Sequence, residues 1–123
     1  MASQFEVSAG KAIGYTSGLG GAVTQETSKS TTVVLNKPCG QITMHDAELA
    51  AGAEVSFTVT NSEVAASDVV LVNHSSAGTG GSYLVQANTI AAGSFKITVS
   101  NVSAGALSQA IVLTFAVIKA AAA

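Results

Sequence analysis

The stretch Glu54-Val55-Ser56-Phe57-Thr58-Val59-Thr60 decides the fold. Val55, Phe57 and Val59 fall on alternate positions, with Glu54, Ser56, Thr58 and Thr60 between them. A period of two puts the apolar set on one face of a pleated strand, whereas a helix would scatter it around the axis. Val55, Thr58, Val59 and Thr60 are also β-branched, which suits a strand better than a helix. The segment reads as a strand with one face in a core and the other in water.

The same pattern extends outward. Phe95, Ile97 and Val99 alternate with Lys96, Thr98 and Ser100. Thr31–Asn36 is a short β-branched run closed by Lys37-Pro38-Cys39-Gly40, where Pro38 has no N–H to continue a ladder. Val23–Gln25, Gly40–Met44 and Ser82–Asn88 add further runs. Asp68–Asn73 is almost all Val and Leu, which predicts a strand covered on both faces. In Ile111–Ile118 both alternating sets are largely apolar, so the face bearing Val112 and Ile118 is expected to meet another sheet or another subunit. Asp46–Gly52 is expected to wind one helical turn, capped by Asp46 and ended by Gly52. About eight short strands with glycine-containing turns predict an all-β, two-sheet sandwich, jelly-roll-like, over residues 23–123. Residues 1–22 hold no period and read as an irregular N-terminal arm, with Phe5, Val7, Ile13, Tyr15 and Leu19 as anchors.

The chain also repeats. Val33–Asn36, Ile42–Met44, Leu49-Ala-Ala-Gly52 and Phe57–Asn61 form one series. Val70–Asn73, Tyr83–Val85, Ile90-Ala-Ala-Gly93 and Ile97–Asn101 form a second, which predicts an internal duplication over about 33–61 and 70–101. A third copy would begin at Ile111-Val-Leu113 and stop with the chain.

Composition narrows the function classes. Of 123 residues, 48% are hydrophobic and 10% charged, against a usual charged share of about 25%. A disordered segment has the opposite balance. Five Lys or Arg spread along a chain of net charge −2 do not make a phosphate-binding patch, so no nucleic acid is expected as a partner. Aromatics are 5% with no Trp, which leaves little for bases to stack on. The longest apolar stretch, Ala110–Ile118, is about half a membrane span, and Met1–Glu6 lacks the features of an export signal. A lone cysteine, Cys39, forms no internal disulfide, and synthesis in a reducing cytoplasm is expected. So few charges leave little repulsion between copies, and self-association as a dimer or trimer is expected.

Chemical motifs are sparse. Gly18-Leu-Gly-Gly21 and Gly78-Thr-Gly-Gly81 run into strands, whereas a phosphate cradle opens a helix. They read as bends. Lys29, between Ser28 and Ser30, reads as a solvated turn lysine. His45-Asp46 with Glu48, and His74-Ser75-Ser76, are the only groups resembling acid–base chemistry, and no Gly-x-Ser-x-Gly elbow accompanies them. Two histidines on separate strand ends do not supply three converging metal ligands. Glu54, Glu63 and Asp68 read as strand-end residues, with the repeat bringing Glu63 toward Asp68. No catalytic residue, cofactor or metal is expected.

The run Gly21–Asn36, with Gly40–Met44 and the closing Phe115-Ala-Val-Ile-Lys119, resembles a group of small proteins of tailed bacteriophages and prophages. The resemblance spans about residues 14 to 119 and rests on strand-and-turn phrases. It implies a capsid decoration or cement protein, bound outside an icosahedral head at two-fold or three-fold positions. Its partners would be the major capsid protein and its own copies, and its place the virion surface after synthesis in the host bacterial cytoplasm. Similar folds in head fibres and tail fibres imply an alternative, a receptor- or carbohydrate-binding module, for which Tyr83 is the one plausibly placed aromatic. On the decoration reading, residues 1–22 would grip the shell through Phe5, Val7, Tyr15 and Leu19, and Val112 and Ile118 would face a neighbouring subunit.

Overall fold

The computed structural model of the chain describes residues 12–122, so Phe5 and Val7 lie outside the described residues. The alternating runs form β1 (Gly20–Thr24), β2 (Val33–Val34), β3 (Cys39–Thr43) and β4 (Glu54–Thr60), then β5 (Val69–Ser76), β6 (Tyr83–Ala91), β7 (Ser94–Asn101) and β8 (Val112–Ile118). They make two four-stranded sheets, β1-β3-β8-β5 (sheet A) and β2-β4-β7-β6 (sheet B), which is the expected two-sheet sandwich. The winding departs from a jelly roll, whose neighbouring strands are antiparallel. Here β1 runs parallel to β3 and β2 parallel to β4, while the other four pairings are antiparallel. β1 starts at Gly20, so the last three residues of the expected arm belong to sheet A.

The core follows from the period of two. Phe57 and Val59 of β4 and Phe95, Ile97 and Val99 of β7 turn inward from sheet B, against Ile42 of β3 and Leu113, Phe115 and Val117 of β8. Phe95 meets Phe115 between the sheets with centroids 5.5 Å apart and planes tilted by 57°, a geometry favoured by the ring quadrupoles. Gly21 and Gly40 sit opposite one another on β1 and β3. A Cβ on either would come within 2.8 Å of the Leu35 side chain, so their bareness admits that leucine to the core.

Three local expectations are corrected. Asp46–Gly52 forms no helical turn: Leu49 is buried and bridges Leu107, each amide donating to the other's carbonyl at 2.8 and 3.0 Å. Core burial of one leucine outweighs a single turn of helix, which is costly to nucleate. Lys29 is not solvated. It is 4% exposed, and its ammonium donates to the carbonyls of His45 and, at 2.7 Å, Gln109. Buried Gln25 completes the knot, donating to the carbonyls of Lys29 and Thr31 and accepting from the His45 amide. Burial pushes the Lys29 pKa down, against a smaller upward pull from Asp46. Finally, β5 is an edge strand and is covered on one face only, leaving Val69 and Leu71 about half exposed.

The two repeat series do not take equivalent places, since β2 and β6 lie in sheet B while β3 and β5 lie in sheet A. Their closing portions do match. β4 and β7 pair antiparallel, and each leads to a fully buried asparagine, Asn61 or Asn101. The Asn61 amide donates to Gly93, in the turn of the second series, and the Gly52 amide in the first donates to Asn101. Each side-chain oxygen accepts from the amide two residues on, Glu63 or Ser103, at 2.8 and 2.9 Å. Each asparagine thus ties its own strand to the turn of the other series.

Candidate interaction surface

The registers list what each sheet shows to the outside. On sheet A one row runs Gly20, Cys39, Ala116, Leu71, and the next Ala22, Gln41, Thr114, Asn73. Beyond them lie Thr24, Thr43 and Val112 at one end, and Ile118 beside Val69 at the other. Among the described residues, no acidic or basic side chain stands on this face. Val112 and Ile118 are both half-buried on it, at opposite ends of β8. Exposed Val69 and Leu71 extend it to the edge. The sequence contained these two as a Val/Leu run, but such a run does not distinguish a strand covered on both faces from an edge strand with an apolar outer side.

The rim of this face is neutralised. Lys119, just after β8, donates to the Asp68 carboxylate at 2.7 Å and to the Glu63 carbonyl at 2.7 Å. Glu63 therefore joins Asp68 through its backbone and a shared lysine. The hydrogen bond from Lys119, followed by that from the Ala65 amide, holds the Asp68 carboxyl below the usual carboxylate range. Tyr15 and Leu19, just before β1, are each 43% exposed. The Tyr15 hydroxyl donates to the Val117 carbonyl of β8, which fastens the segment before β1 to sheet A.

Sheet B shows a different outer surface. Glu54, Ser100 and Leu84 form one row, Ser56, Thr98 and Gln86 the next, and Thr58, Lys96 and Asn88 a third. Thr98 is bonded to Ser56 at 2.7 Å and accepts from the Asn88 amide at 2.9 Å, so hydroxyls and amides pair across three strands. The exposed apolar residues there, Val34 and Leu84, sit on opposite edge strands.

Among the described residues, the hydrogen bonds of both histidine rings are to backbone groups and none is to a side-chain hydroxyl or thiol. His45 Nδ1 accepts from the Ala47 amide and lies 3.6 Å from Asp46, too long for a hydrogen bond. The His74 ring packs edge-on against Tyr83, and its Nε2 meets the carbonyls of Ser76 and Ala77. No group of three potential metal ligands occurs among the described residues. Tyr83, the aromatic a sugar-binding module would display, is 6% exposed, and its hydroxyl donates to Gln109 at 2.8 Å. Burial pushes its pKa up. No helix of the described residues is long and apolar enough to cross a membrane. Compared with protein-family models, curated proteins and solved structures, the chain matches none.

Proposed function

We propose that this chain is a structural virion protein, a decoration or cement subunit that binds the outside of a phage head and holds neighbouring capsid subunits together. The observation that carries the reading is the outer face of sheet A, four strands wide and, among the described residues, without an acidic or basic side chain. A cement protein works by covering surface. It needs no reacting groups, only a rigid support and a face whose desolvation is cheap. Uncharged hydroxyl and amide groups lose little on transfer to a protein contact if they find partners, whereas an unpaired charge would oppose docking. Covering Val69 and Leu71, each about half exposed, returns on the order of 1 kcal/mol apiece. Such a modest gain per subunit suits a shell lattice in which many copies bind side by side. In this reading Val112 and Ile118 sit at the contact, and Tyr15 and Leu19 guide residues 1–19 from the sheet A end onto the shell.

The experiment is co-sedimentation of purified protein with heads that lack it, followed by imaging of the labelled particles. Decoration at regular lattice positions is expected for the natural chain, with reduced occupancy after removal of residues 1–19. Val112→Lys should bind poorly and Thr58→Lys, on sheet B, as the natural chain does. A chain that leaves heads bare, or that labels only fibres, would overturn the reading.

A further inference from the structure

The two flanks of the sandwich are built differently. One ends in β1 and β2, of five and two residues. The other ends in β5 and β6, of eight and nine residues, with no Lys, Arg, Asp, Glu or Pro in either strand. Natural sheets normally blunt long edges with charge, proline or irregularity, because an open edge is a template for another strand. Both strands are irregular only at their far ends, between His74 and Ser76 and between Asn88 and Ala91. The segment Val69–Asn73 is regular throughout.

The backbone groups on that edge can be assigned. The Val117 amide donates to Pro38, and the Ile111 carbonyl accepts from Met44, so the odd-numbered residues of β8 turn their backbone toward β3. Val70 and Val72 lie opposite Val117 and Phe115. In an antiparallel ladder such residues point their N–H and C=O away from the partner strand. Val70 and Val72 thus offer two donors and two acceptors to the open edge, and their side chains face inward and do not cover them.

We infer that a second copy of this chain pairs with that edge, β5 against β5 in antiparallel fashion, about a two-fold axis at Leu71. This axis sets Val70 opposite Val72 of the partner copy and Val72 opposite its Val70, so all four outward groups on each strand are satisfied at once. The two Leu71 residues then face each other in a non-hydrogen-bonded pair, where side chains approach most closely. A second copy is favoured because identical uncharged edges meet without repulsion, and one surface contacting itself closes on a two-fold. Pairing would merge the two outer faces of sheet A into one eight-stranded platform, and in this last step the inference rests on the proposed shell-binding role. The flank is about 27 Å long at 3.3 Å per residue and two sheets thick, so the contact totals roughly 1,000 Å². That is the low end for a specific interface and predicts a concentration-dependent dimer.

The test uses the isolated full chain. Sedimentation equilibrium should show a monomer–dimer equilibrium. Leu71→Lys, which sets like charges opposite each other, should raise the dimer Kd roughly tenfold or more with the fold retained by circular dichroism. In a Cys39→Ser background, Leu71→Cys should form an interchain disulfide on mild oxidation, because the paired Cα atoms would stand about 4.5 Å apart. Leu84→Cys in the same background should not. A natural chain that stays monomeric, a dimer indifferent to Leu71→Lys, or equal cross-linking at both cysteines would overturn the inference. A dimer that fails to bind heads would sink the virion reading alone, and a monomer that decorates them would sink the dimer alone.

Discussion

The outer faces of the two sheets are made from similar strands and differ in what completes them. On sheet B, Ser56, Thr98 and Asn88 bond to one another, and Glu54 and Lys96 stand exposed in water. That face is finished within the subunit. On sheet A the outer residues are Gly, Cys, Ala, Val, Leu, Ile, Thr, Gln and Asn, and the charges at its rim, Asp68 and Lys119, are bonded to each other. Sheet A has polar pairing of its own, Thr114 donating to Ser75 at 2.8 Å, so the difference lies in the charges of one face and the exposed aliphatics of the other. A face that carries charges loses their hydration when a partner covers it, while an uncharged face with half-exposed aliphatics gains from being covered.

The largest expected effect is on association. On the proposed decoration role, Val112→Lys should bind heads poorly while folding stability changes by less than about 1 kcal/mol, because the residue is only half-buried and a lysine can extend its charge into water. Equal loss from Thr58→Lys would erase the distinction between the faces. Next is Thr98→Val, which leaves Ser56 and Asn88 without their partner and should cost about 1–2 kcal/mol in urea unfolding, with association unchanged. A third test concerns pH. Because the Asp68 pKa is lowered in the folded state, its contribution is complete above the ordinary aspartate value and is lost as pH falls through the lower folded one. Thermal stability should therefore fall below about pH 4, and Asp68→Asn should flatten that part of the profile. The smallest effect is a gain: Glu54→Thr combined with Lys96→Thr removes the charges from sheet B and should let weak association appear through it, detectable by light scattering at high concentration.

The strands were legible because the period of two is written locally. Val55, Phe57 and Val59, or Phe95, Ile97 and Val99, declare a buried face without reference to any other part of the chain. Lys29 was not legible. Flanked by serines, it resembles any loop lysine, and only the convergence of the His45 and Gln109 carbonyls from two other connections makes a buried place for it. Leu49 was misread for a related reason, since its partner Leu107 is far away in sequence and a helical turn was the only local option. The doubly apolar pattern of β8 already places Val112 and Ile118 on the face away from the core. The Val/Leu run of β5 shows Val69 and Leu71 as apolar but carries no mark that one side of their edge strand is open.

The sequence by itself determined that this protein is a β-sandwich with a low-charge exterior, because alternation and composition are properties of neighbouring residues and of the chain as a whole. Only the tertiary structure decided which strands end the sheets, which outer face lacks charge, and that Asn61 and Asn101 each fasten the other series' turn. Those outcomes depend on pairing between residues tens of positions apart, where a side chain's environment is set by the strand beside it and not by its neighbours in sequence.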